Sequence, residues 1–175
     1  MQLLLTRYRQ PVSEVSRTFQ PEQVAQEGDA YRIVAPVALN LEIHKDKNRF
    51  RLLGDLRTEL ELACSRCLEP FRMRVDASFD VRYLPASEMS TEEERELQDE
   101  DVETSYYRDD AIDLGELLRE QFYLALPMKP LCAEDCRGLC SECGTNLNTG
   151  TCECASAWKD PRLAPLEAFV KRKES

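Results

Sequence analysis

Between Tyr31 and Tyr83, apolar side chains recur at every second position in three successive runs, and this pattern constrains the fold more than any other feature. The first run is Tyr31, Ile33, Ala35, Val37, Leu39, Leu41 and Ile43. The second moves to even numbers, with Phe50, Leu52, Gly54, Leu56, Thr58, Leu60 and Leu62. The third returns to odd numbers, with Phe71, Met73, Val75, Ala77, Phe79, Val81 and Tyr83. A period of two places alternate side chains on opposite faces of a strand, so each run predicts a strand with one buried face. Pro36 has no N–H to donate and marks an edge or bulge in the first strand. Short links, His44–Asn48 and the segment after Cys64, predict an antiparallel meander. Its apolar face needs a cover, which predicts a curled sheet or small barrel. The first thirty residues give weaker signals; Pro11 and Pro21 interrupt any long helix, and only short mixed elements are expected there.

A cover for the sheet is legible further on. Asp113 is a capping residue with Glu116 three positions later, and Leu114, Leu117, Leu118, Phe122, Ala125 and Leu126 follow at helical spacing until Pro127. A helix over 113–126 packed on the sheet is therefore predicted. After Pro130 the composition turns to cysteine, glycine and asparagine. The expected class is α+β: an antiparallel β domain over 1–130, then a cysteine-rich, zinc-ribbon-like module and tail over 131–175. The tail from Trp158 carries a short amphipathic piece around Leu166, Phe169 and Val170.

The chain has 175 residues, 23 basic and 33 acidic, for a net charge of −10. Residues 85–116 hold 13 acidic and 2 basic side chains, and the remainder is nearly balanced, with 20 acidic and 21 basic. The acidity therefore excludes nucleic acid from one stretch only, and that stretch attracts basic partners. Residues 86–101 show no apolar stripe wide enough to dock; they read as a solvated loop or frayed helix, or as an acidic arm for a basic partner. The longest apolar run is only a few residues, and MQLLLTRYRQ lacks the layout of a signal peptide. A soluble cytoplasmic protein is expected.

Eight cysteines in a reduced compartment point to metal before disulfides. Six lie close together: Cys132, Cys136, Cys140, Cys143, Cys152 and Cys154. Cys140-Ser-Glu-Cys143-Gly144 has knuckle spacing, in which two thiolates turn toward one ion and the glycine supplies a positive φ. Either Cys132/Cys136 or Cys152/Cys154 supplies the other two ligands of a four-thiolate zinc site. So small a module cannot bury enough apolar surface alone, and a metal serves as its staple. Cys64-Ser-Arg-Cys67 is a candidate for additional ligands; its spacing also suits thiol redox chemistry or unligated turn thiols. A site closed by four thiolates leaves no place for substrate.

Other chemistry is thin. His44 is the only histidine and falls in a polar turn, there is no glycine-rich phosphate loop, and the zinc-deaminase pattern is absent. A binding protein is expected, not an enzyme. Arg49, Arg51, Arg57, Arg66, Arg72 and Arg74 are candidate contacts to an RNA backbone; the alternative is ordinary strand charge paired with Glu59, Glu61 and Asp76.

Three separated motifs carry a resemblance. Cys64-Ser-Arg-Cys67-Leu68-Glu69-Pro70-Phe71 resembles the signature of the YceD family. Pro130-Leu131-Cys132 through Cys136, Gly138, Cys140, Cys143 and Gly144 to Asn146-Leu147-Asn148 resembles its closing motif, and Trp158-Lys159-Asp160-Pro161-Arg162 is similar to its tail. The family is that of large ribosomal RNA subunit accumulation proteins. The resemblance implies a ribosome-biogenesis role in 23S ribosomal RNA accumulation, with ribosomal RNA or a large-subunit precursor, or a basic ribosomal protein, as partner. It brings the cysteine set with an expectation of metal ligation and no catalytic residue. The alternatives are a thiol redox enzyme using Cys64 and Cys67, or a zinc-ribbon regulator that binds nucleic acid.

Overall fold

A computed structural model describes residues 1–88 and 104–154. The expected acidic arm, apart from its ends, and the amphipathic tail piece lie outside the described residues. The chain divides into two compact units, one of Met1–Cys64 with Glu69–Cys132, the other of Ser65–Leu68 with the chain from Ala133 on.

The first unit is built on a six-stranded sheet. Its strands are β2 (Val12–Phe19), β3 (Arg32–Ile33), β4 (Val37–Asp46), β5 (Arg49–Ala63), β6 (Pro70–Pro85) and β7 (Thr104–Tyr107). The order is β2-β4-β5-β6-β7, with β3 also paired to β5. All neighbours are antiparallel except β6 and β7, which run parallel. β1 (Gln2–Leu4) and β8 (Ala111–Asp113) form a separate two-stranded pair. The expected meander is thus β4-β5-β6, and the even face of β5 is buried throughout, from Phe50 to Leu62.

Several expectations are corrected. The sheet is open and does not close as a small barrel, because its end strands β2 and β7 pair with different neighbours and not with each other. The first run is two strands, interrupted at Val34–Pro36, where the proline has no N–H for the ladder. β5 continues past the gap: Val34 N–H donates to Glu59 O at 3.0 Å, and the buried Thr58 hydroxyl donates to Ala35 O at 3.0 Å. His44 is not in the turn either. β4 runs to Asp46, and the hairpin closes on Lys47–Asn48, with Lys47 at φ +54°.

Gly54 faces Phe79 across the β5–β6 ladder, and a Cβ there would stand 2.2 Å from the ring. The phenyl ring occupies the room a side chain would need. The helix α2 (Leu114–Ala125) follows a short helix α1 (Pro21–Val24) in chain order. Asp113 caps α2 by accepting the Gly115 N–H at 2.7 Å, as its sequence position suggests. Leu114, Leu117, Leu118 and Phe122 are buried on one face, and Phe122 meets Tyr31 edge to face at 5.6 Å. Each such side chain contributes about 1.5–3 kcal/mol by leaving water. No helix among the described residues is long and apolar enough to cross a membrane.

Candidate metal centres

The cysteines form two sets of four. In one, the sulfurs of Cys140, Cys143, Cys152 and Cys154 all lie within 4.8 Å of one another; in the other, so do those of Cys64, Cys67, Cys132 and Cys136. A tetrahedral ion bound at about 2.3 Å needs sulfurs about 3.8 Å apart, so each set can close on one metal with little movement. The knuckle Cys140–Cys143 is joined by Cys152 and Cys154, while Cys132 and Cys136 join Cys64 and Cys67. The sets differ in exposure. Cys64, Cys67 and Cys136 are buried, whereas Cys143 and Cys154 are exposed and Cys140 and Cys152 half-buried.

Local backbone explains both knuckles. Cys140 N–H donates to Thr145 O at 2.8 Å and Gly144 N–H to Cys140 O at 2.9 Å, closing a tight turn with Gly144 at φ +72°. The turn after Cys64 repeats the form: Cys64 N–H donates to Glu69 O at 2.9 Å, and Leu68, following the second cysteine, takes φ +62°. Gly138, at φ +76°, lies against Arg66, where a Cβ would come within 3.0 Å of its carbonyl oxygen. Leu139 N–H donates to that oxygen at 3.2 Å, and Arg66 Nη1 donates to the carbonyls of Glu134 and Cys136 at 3.2 and 2.8 Å.

The surroundings favour thiolates. Asn148 Nδ2 donates to Cys136 Sγ at 3.3 Å, and its Oδ1 accepts the Arg137 N–H at 2.8 Å. Cys143 Sγ lies 3.1 Å from the Thr145 hydroxyl. That hydroxyl, with the Thr145 backbone N–H and then Cys140 and Cys154, holds the Cys143 thiol down to about 6. Cys154 is pushed up to about 12, chiefly by Cys143, and Cys152 is raised, chiefly by Cys140. Four thiols this close resist joint ionisation, and a divalent cation removes that resistance. Asn148 and Thr145 were not singled out as functional by spacing, although both stand in the closing motif.

The arginines do not gather into one patch. Arg51 grips Asp80 with two bonds, Nε–Oδ1 2.8 Å and Nη2–Oδ2 2.5 Å. Arg57 pairs with Asp76 at 3.1 Å, Arg74 with Glu59 at 3.3 Å, and Arg49 with Glu88 at 3.1 Å. Arg72 stands opposite Glu61, which pairs with Arg32 at 2.6 Å. Arg66 belongs to the cysteine module and is spent on backbone carbonyls. His44 Nε2 approaches Glu42 Oε1 at 2.6 Å, without the geometry of a hydrogen bond.

A family described as large ribosomal RNA subunit accumulation protein YceD matches residues 52–170. The large ribosomal RNA subunit accumulation protein YCED homolog 1, chloroplastic, of Zea mays is 30% identical over 166 residues, 78% of this chain and 54% of its own length. The protein of the same name in Arabidopsis thaliana is 26% identical over 159 residues, 75% of this chain and 47% of its own length. An uncharacterized protein of Mycobacterium leprae is 28% identical over 116 residues, 65% of this chain and 50% of its own length. The chain spans about half the length of the curated relatives it matches. No solved structure matches it.

Proposed function

Because this chain belongs to the YceD family of large ribosomal RNA subunit accumulation proteins, we propose that it supports accumulation of 23S ribosomal RNA, and so large-subunit assembly, by binding and not by catalysis. The observation that carries this reading is the family match across residues 52–170, which includes all eight cysteines. The curated relatives in the two plants are named as accumulation factors, not as enzymes.

The two cysteine sets are zinc centres in this reading. Four sulfur donors at tetrahedral reach suit zinc, and a centre closed by four thiolates keeps no open position for a substrate. The zinc supplies a rigid core for a module with little apolar surface, and the chain's own residues do the rest. Arg66, Gly138 and Asn148 brace the thiolates through the contacts above. Ribosomal RNA meets the outward face of β5 and β6, where Arg49, Arg51, Arg57, Arg72 and Arg74 stand. Their carboxylate pairs are exposed, each worth about 0–1 kcal/mol, and yield to phosphate at small cost. The protein acts in a reducing compartment such as the cytoplasm, where these thiols stay available to metal.

Sedimentation of ribosomes from cells lacking the chain tests this function. A deficit of large subunits and of their RNA, restored by the intact chain, is expected. Unchanged large-subunit and 23S levels overturn it.

A further inference from the structure

In the sheet unit, a cleft of about 760 Å³ opens beside β7. Its wall includes Asp109, Asp113, Glu116 and Glu120, with Arg108 as the one cationic side chain lining it. Asp113 is committed to the cap of α2. Glu116 and Glu120 are exposed, one helical turn apart, and have no hydrogen-bonding or ionic partner among the described residues. Like charges at this spacing weaken a helix by a few tenths of a kcal/mol, so the pair is a cost that folding does not explain.

A second observation comes from Tyr83, which lines the same cleft. It is only 7% exposed, and among the described residues its hydroxyl has no hydrogen-bond partner. A buried phenol ordinarily finds one; Tyr107, nearby, donates to Asn48 O at 2.9 Å. Burial, and then the charges of Glu120, Glu116 and Asp113, raise the Tyr83 pKa and keep the phenol protonated. Tyr106, 43% exposed, adds a further aromatic face.

We infer that this cleft binds an extended lysine- or arginine-rich peptide, with a cationic head group seated against Glu116, Glu120 and the Tyr83 ring and hydroxyl. The inference extends the function proposed above and rests on it only for the source of the peptide, a basic segment of a ribosomal protein. Carboxylates and tyrosine faces together recognise ammonium and guanidinium groups through charge-assisted hydrogen bonds and cation–π contact. A single metal ion is the wrong occupant: among the described residues, only the two cysteine sets bring ligand atoms close enough to hold one. Phosphate is repelled by the same charges. Residues 92–103, immediately before β7 in sequence, add Glu92, Glu93, Glu94, Glu96, Asp99, Glu100, Asp101 and Glu103, so the field favours a chain of positive charges over a lone amine.

The test is fluorescence anisotropy of the purified, full-length chain with a labelled lysine–glycine dodecapeptide. Glu116→Gln combined with Glu120→Gln is expected to weaken binding about tenfold, the scale of lost charge-assisted contacts. Tyr83→Phe keeps the ring and removes the hydroxyl, and a loss of about threefold is expected. Glu92→Gln combined with Glu93→Gln removes equal charge outside the cleft; it should slow association and leave affinity within about twofold. Wild-type affinity in the cleft variants, an equal loss in the outside variant, or displacement of the peptide by oligouridylate overturns the proposal. Failure here leaves the ribosomal RNA reading standing, whereas unchanged 23S levels in cells without the chain remove that reading and not the peptide site.

Discussion

Leu68 follows the second cysteine of its knuckle and takes φ +62°, the conformation that Gly144 takes at the corresponding place in the other knuckle. A leucine in that region costs about 1–2 kcal/mol, and glycine carries no such penalty. The side chain is 66% exposed and gives little burial in return. Leu68→Gly is therefore expected to stabilise the chain by about 0.5–1 kcal/mol, after allowing for the greater freedom of glycine when unfolded. The midpoint of urea unfolding checks this, and a lower midpoint would show that the leucine is held by contacts worth more than its strain. Spacing identified both knuckles but not their partners. Cys132/Cys136 and Cys152/Cys154 both lie within chain reach of Cys140/Cys143, and reach says nothing of direction. The same limit applies to the arginines: alternation places them on the outward face, and only the register shows which carboxylate each one meets.

At the scale of elements, legibility followed burial. The strands β4, β5 and β6 and the helix α2 bury continuous apolar faces, and their periodicity showed it. β2 carries Val12, Val15 and Phe19 among Ser13, Glu14, Ser16 and Arg17; as an end strand it buries only Phe19 fully, so its alternation is faint. β7 has four residues and joins β6 in parallel, a pairing no local pattern announces. The openness of the sheet was equally hidden, since alternation fixes which face is buried and not which strands meet at the ends. The start of α2 depends on one side chain. Asp113→Ala leaves the Gly115 N–H without its acceptor and is expected to cost about 1 kcal/mol, read as a lower urea midpoint with an unchanged slope. Asp113→Asn should retain most of that stability, since an amide oxygen accepts the same bond.

Over the whole molecule, the same physics gives each unit a different means of support. The sheet unit has a core of leucines, isoleucines and aromatics, from Leu3 to Phe122. The cysteine module has sulfur where another small domain would have a core, and its order depends on an ion. The charge follows a related division, with the acidic excess collected into 85–116 and the sheet face left with paired charges. The most direct measurement is the metal content of the natively purified chain, by mass spectrometry under non-denaturing conditions alongside thiol titration after chelation. Two zinc ions per chain are expected, with all eight thiols reactive once the metal is withdrawn. A folded chain that carries no metal, or whose sulfurs are joined in disulfides, contradicts the account.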